Sequence, residues 1–236
     1  MFLKIDRPDR QRAPALFSLL LLASSGYVQA QQVSGSAGLV SDYVWRGSSQ
    51  SRENPAAQAG LKYSHSSGVY ASLWASTVRF EPDNGARGEF DLALGWARAL
   101  SEDWSLDAYL LRYQYPNADT NLNWNEINAV LSWRQHYWIA LAYSPKAMAS
   151  QAHGLYALAG ARYPINRQWR LEATLARYFL QDAQLQSYTH GSLGLIWTFT
   201  PHVEARITLH ATDSAAKRLF ADMAGSRAEF AIQAAF

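Results

Sequence analysis

The chain has 236 residues, 21 Lys and Arg against 19 Asp and Glu, 49% hydrophobic and 13% aromatic residues, and no cysteine. That length suits one domain or one barrel. The missing cysteines exclude a disulfide framework and thiolate chemistry, and the near-balance of charge points away from a nucleic-acid partner.

Residues 1–30 read as an export signal. Lys4, Arg7, Arg10 and Arg12 give a basic start, Leu16 to Ala23 form a short apolar stretch, and Val28-Gln29-Ala30 resembles a cleavage site. The stretch is well short of the roughly 20 residues a spanning helix needs. Removing residues 1–30 also takes away Asp6 and Asp9, which leaves 17 basic and 17 acidic residues. No later run is long enough for a membrane helix. The exported portion, 31–236, is then a periplasmic domain, a secreted domain or an outer-membrane barrel.

From residue 33 onward apolar and polar residues alternate with period two, the signature of half-buried strands. Twelve strands are expected at 35–45, 57–65, 69–79, 87–97, 103–113, 125–134, 137–144, 154–163, 168–178, 188–199, 202–212 and 227–236. Most are close to the roughly 9–11 residues that cross a bilayer at a tilt. The connections alternate in length. Short ones fall at 65–68, 98–102, 135–136, 164–167 and 200–201; longer polar ones fall at 46–56, 80–86, 114–124, 144–153, 179–187 and 213–226. A soluble sandwich has no reason to sort its loops this way. An all-β, up-and-down antiparallel barrel in the outer membrane does, with tight periplasmic turns and larger extracellular loops.

Each strand has an apolar face: Leu39, Tyr43 and Trp45; Phe90, Leu92, Leu94 and Trp96; Ile127, Ala129, Leu131 and Trp133; Leu193, Leu195, Trp197 and Phe199. In a barrel this face meets outer-membrane lipid. Ten aromatics keep the same parity at the expected periplasmic ends: Tyr63, Trp96, Trp104, Trp133, Tyr137, Tyr163, Trp169, Trp197, Phe199 and Phe236. Rings with a polar tip belong at a lipid–water interface, whereas a soluble core would gather large rings at strand centres. Trp45, Tyr113 and Tyr143 are candidates for the opposite girdle. The closing stretch AEFAIQAAF, ending in Phe236, resembles the C-terminal signal read by barrel-assembly machinery.

The stretch SDYVWRGSSQSRENPAAQAGLKYSHSSGVYASLWAS, with Tyr43 to Gly47, Ser49-Gln50, Pro55-Ala56 and Tyr63 to His65, resembles the Gcw_chp, or TorF-like, family of porin-like proteins. Its motif spans only residues 41–76. The resemblance implies an outer-membrane barrel with a transport role. It supplies no cofactor, settled substrate or catalytic residue.

The opposite strand faces carry Asp42, Arg46, Lys62, Glu89, Asp91, Asp107, Glu126, Arg162, Arg170, Glu172, Glu204, Arg206, Arg227 and Glu229. A basic residue at lipid mid-depth costs roughly 2–4 kcal/mol, so these should point into the lumen. There they either pair into ladders that stiffen the barrel or line a path for small polar or ionic solutes. Tyr70, Trp74, Tyr109, Trp138 and Tyr156 share that face and would narrow or block it, and 213–226 is long enough to fold in as a plug. One rival is a lipid hydrolase built on His190 and Ser192, although no third residue is evident to orient the histidine. Another is a sealed structural or adhesive barrel. The remaining histidines, His65, His136, His153, His202 and His210, are too dispersed for a metal-site spacing and are expected to be mostly solvated.

Overall fold

In a computed structural model, residues 32–181 and 185–236 are described; the export signal expected at 1–30 lies outside them. Among the described residues twelve strands close a barrel. They are β1 (Gln32–Val40), β2 (Ala56–Ser64), β3 (Val69–Thr77), β4 (Gly88–Ala99), β5 (Trp104–Gln114), β6 (Trp124–Trp133), β7 (Tyr137–Ser144), β8 (His153–Pro164), β9 (Trp169–Gln181), β10 (Tyr188–Thr200), β11 (Val203–Thr212) and β12 (Arg227–Ala235). Every pair is antiparallel, each strand bonds its neighbours in sequence, and β1 meets β12 to close the ring. At that seam Ser36 lies opposite Ala235, and Gly35 and Phe236 exchange backbone hydrogen bonds. Closure leaves no unpaired edge.

The pleat sorts the side chains. Outward residues such as Leu39, Ile127 and Leu175 are 59%, 60% and 64% exposed, while Glu89, Asp107 and Glu126 on the inner face are buried. The barrel therefore has an apolar outside and a charged, hydroxyl-bearing inside, the reverse of a soluble core. No helix of the described residues is long and apolar enough to cross a membrane. The end with the short turns carries a stacked aromatic belt: Trp169 and Trp197 are 5.3 Å apart and nearly parallel, and Trp133 stacks on Tyr137 at 5.6 Å.

The first strand departs from the expected 35–45. It ends at Val40, and residues 41–55 turn into the barrel as a folded loop with a small hairpin, Val44–Trp45 against Ser48–Ser49. Arg46 (φ 47°) and Gly47 (φ 84°) form its reversal in the left-handed region, where Gly is at ease and Arg is not. Tyr43 and Trp45 are thus not on the lipid face. Both pack inside, where Trp45 meets Tyr113, Trp124 and Tyr178 edge-on. Tyr113 likewise faces inward, so of the three candidates for the second girdle Tyr143 alone is outward, 42% exposed. The alternation continues past residue 40, but the path of the backbone does not; period two is silent about a turn that leaves the sheet.

The segment 213–226 also covers the long-loop end, beside the inward loop. It holds the short helix α1 (Ser214–Phe220), capped by Asp213, whose carboxylate accepts from the Ala216 amide at 3.0 Å. Phe220 meets Tyr188 of β10 edge-on at 5.4 Å, and Ala224 bridges to Ser48 of the inward loop. The cover expected from 213–226 is therefore shared with 41–55, and the inward loop reaches deeper.

Candidate functional site

The inner face encloses a cavity of about 410 Å³. It runs from Ser34 and Phe236 at the short-turn end to Val44, Trp45 and Gly47 on the underside of the inward loop. Of the large inner-face aromatics expected to obstruct it, two lie flat against the wall. Tyr70 crosses β4 at Gly95, where a Cβ would sit 2.6 Å from its ring, and Trp138 lies over Gly160 of β8, where a Cβ would collide with the indole. The glycines let these rings be wall instead of plug.

Six groups of charged residues organise the interior. At the long-loop end, Arg46 reaches across the bore and binds Glu126 of β6 through two contacts of 2.8 Å. Its guanidinium lies over the rings of Tyr156 (4.1 Å), Trp45 (4.5 Å) and Tyr178 (4.8 Å), and Tyr113 donates to Glu126 at 3.0 Å. A desolvated cation held by a bidentate carboxylate and aromatic faces is strongly fixed. Asp42 anchors the same loop. It accepts from Ser49 and Ser51 and pairs with Arg227 of β12 at 3.1 Å. Arg227 also donates to the Asp222 carbonyl, so it ties both covering segments to the wall.

Toward the short-turn end, Glu172 of β9 is shared by three arginines: Arg162 at 2.8 Å, Arg170 at 3.2 Å and Arg206 at 3.3 Å. Arg170 also forks onto Glu204 of β11 at 2.6 and 2.7 Å, and Thr198 donates to Glu204. This network crosses β8 to β11. On the other side, Lys62 lies 3.8 Å above the Tyr70 ring, and the Tyr70 hydroxyl donates to Asp107 at 2.8 Å. Glu229 meets His210 at 3.1 Å. Glu89 and Asp91 sit buried together on β4, beside Tyr43 and Tyr115, with no cation within 4 Å among the described residues.

Of the fourteen residues expected to line the lumen, seven border the cavity (Asp42, Arg46, Lys62, Asp91, Glu172, Arg206 and Glu229), while the other seven lie on inner strand faces, mostly in ion pairs or hydrogen bonds beside it. Asp42 and Arg46 get there by the inward loop and not by strand parity. Sequence reasoning missed the cage around Arg46 and the pairing of His210 with Glu229. The Arg-Gly pair was the available signal for the reversal; nothing local signals which carboxylate the arginine would find 80 residues later.

The hydrolase pair comes apart in this geometry. His190 Nε2 bonds the Tyr156 hydroxyl at 2.9 Å, while Ser192 Oγ bonds Thr174 Oγ1 at 2.7 Å. The serine lacks the bond to its base that a nucleophile requires. Among the described residues no group of three or more His, Asp or Glu is arranged to hold a metal ion.

Residues 23–236 match the model of a family described as a bacterial protein of unknown function, Gcw_chp. No curated protein sequence matches the chain. Among solved structures, the fold is similar to that of the NanC porin, at 15% identity and TM-score 0.56, covering 87% of this chain and 99% of that one. It is also similar to the KdgM porin, at 7% identity and TM-score 0.57 over 86% and 99% of the two chains. A complex of KdgM with disordered oligogalacturonate matches at TM-score 0.54, 7% identity, 86% of this chain and 98% of that one. At these identities the likeness is one of fold.

Proposed function

We propose, from the premise that the chain belongs to the Gcw_chp family and has the porin barrel fold, that it is an outer-membrane channel for small solutes, narrowed by its own first long loop. The observation that carries this is the cavity of about 410 Å³, which reaches the short-turn end and stops under a loop pinned by Arg46–Glu126 and Asp42–Arg227. Eight strands give an interior filled by side chains, while 16–18 leave a water channel; twelve strands with rings laid along the wall give a slender bore. Passage requires that loop 41–55 shift, or that solute slip beside it.

In this reading the short turns face the periplasm and the long loops the exterior. Residues 1–30 are removed on export, and the strand ending in Phe236 is presented to the assembly machinery. The fourteen inner residues comprise eight carboxyl and six basic groups, which favours cations among small ions. The test is reconstitution in planar bilayers. Discrete conductance steps with a reversal potential on the cation side are expected; a folded barrel that stays silent counts against a channel and for a sealed structural barrel.

A further inference from the structure

The two sides of the cavity are chemically different. On β4 to β8 its wall is largely apolar, with Leu111, Val130, Trp138, Ala140 and Leu158 facing in from adjacent strands among Asp91, Tyr109, Asn128 and Tyr156. On β9 to β12 and β1 to β3 it is polar, with the hydroxyls of Thr174, Ser192, Thr208, Ser36 and Ser72 set among Glu172, Arg206, Glu229 and Lys62. A bore meant only for hydrated ions gains nothing from an apolar half, because ions lose hydration there. Filling the barrel is not its purpose either, since the Gly95 and Gly160 contacts press Tyr70 and Trp138 onto the wall and leave the cavity in front of them.

The charges that border the cavity are mostly spoken for. Asp42, Arg46, Arg206 and Glu229 each hold a partner from another segment. Lys62 and Asp91 stand outside these pairs and are opposite in sign, with Lys62 seated on the Tyr70 ring. The carboxyl excess of the interior sits in the buried Glu89 and Asp91, of which only Asp91 reaches the cavity, so its wall offers a weak bias toward small cations and no cluster that would grip a charged solute.

We propose that this lumen prefers uncharged, flat, two-faced solutes: a ring with one apolar face against β4 to β8 and a hydroxyl edge toward the Ser and Thr wall. Ring polyols are the simplest members of that class. The inference rests on the channel reading and specifies its solute. An apolar wall stacks a ring face, and opposing hydroxyls exchange bonds with its rim without net charge transfer.

Swelling of proteoliposomes holding the full chain tests this, run on wild type and on Arg46→Gln, with ion conductance recorded on the same preparations. myo-Inositol is compared with the open-chain hexitol mannitol, and glucose with glucuronate. The ring and the neutral solute should each enter about three-fold faster or more, the ratio expected from one stacking contact. Leu158→Asn and the near-isosteric Val130→Thr, either of which keeps the test open if the other fails to fold, should pull the first ratio toward one. Conductance with equal entry rates, or with glucuronate favoured, overturns this inference alone. Absence of conductance in both wild type and Arg46→Gln overturns the channel reading and this inference with it.

Discussion

Arg46 and Glu126 meet across the barrel interior, 80 residues apart in the chain, with both nitrogens of the guanidinium fork on both carboxylate oxygens at 2.8 Å. Neither is exposed enough for water to replace the other: the side chains are 9% and 1% accessible. The pair joins the inward loop to the wall, so it bears on stability and on the width of the bore together.

Glu126→Gln removes the charge and leaves Arg46 without its carboxylate. Breaking one partner of a buried pair costs about 3–5 kcal/mol, which should lower the thermal midpoint of the folded barrel. The freed loop should also raise single-channel conductance about two-fold or more, since the latch is electrostatic and desolvated. The double replacement Arg46→Met with Glu126→Leu should recover most of the stability while keeping the higher conductance. Equal conductance in all three proteins would show that loop 41–55 does not limit flow.

Gly160→Ala puts a methyl group where the Trp138 indole lies. The ring has to leave the wall, and the bore is the free space in front of it. A stability loss of about 1–3 kcal/mol is expected from the overpacking, with conductance reduced. Combining it with Trp138→Ala should restore the flow. If Gly160→Ala conducts like the wild type, the ring has another place to go.

Glu172→Gln strips the shared carboxylate from Arg162, Arg170 and Arg206. Three guanidinium groups then repel one another with only Glu204 to offset them. Reversal potentials in a salt gradient should move toward anions, and more so at low ionic strength, where charges are less screened. Glu204→Gln should have a smaller effect, because Arg170 keeps Glu172. A cation preference unchanged by Glu172→Gln would place the selective region elsewhere in the bore.

Asp213 gives a pH signature outside the membrane-crossing strands. Partial burial pushes its carboxyl up, but the backbone amides of Ala216 and Thr189 outweigh that and hold it below its ordinary value. A depressed folded value contributes stability that is present above the unfolded value of about 4 and is lost as pH falls through the folded one. Asp213→Ala should therefore loosen the 213–226 cover at neutral pH by about 1 kcal/mol, the worth of a helix cap. Limited proteolysis of that loop should be faster in the variant at pH 7 and similar in both proteins near pH 2.

The strands were legible because lipid on one side and a polar interior on the other force strict alternation. β2 to β12 fall within about three residues of the pattern at each end. The same rule misplaced Tyr43 and Trp45, since alternation persists through a segment that leaves the sheet at Ser41. The inner charges on the strands were legible from parity, unlike Asp42 and Arg46 on the loop; the pairings were not, because Arg46 with Glu126 and Arg227 with Asp42 are set by the closed ring, which has no local trace in sequence. The pairing of His210 was hidden for the same reason: its partner Glu229 stands across the β11–β12 pair.

The seam between β1 and β12 has a kinetic side. It joins residues 36 and 235, whereas most other neighbours form hairpins. Until that junction zips, the nascent sheet carries two bare edges and a greasy outer surface, both prone to sticking to other chains. Ring closure across so long a separation is slow, so the time spent as an open ribbon, and whatever shelters it then, should govern how much protein reaches its final form.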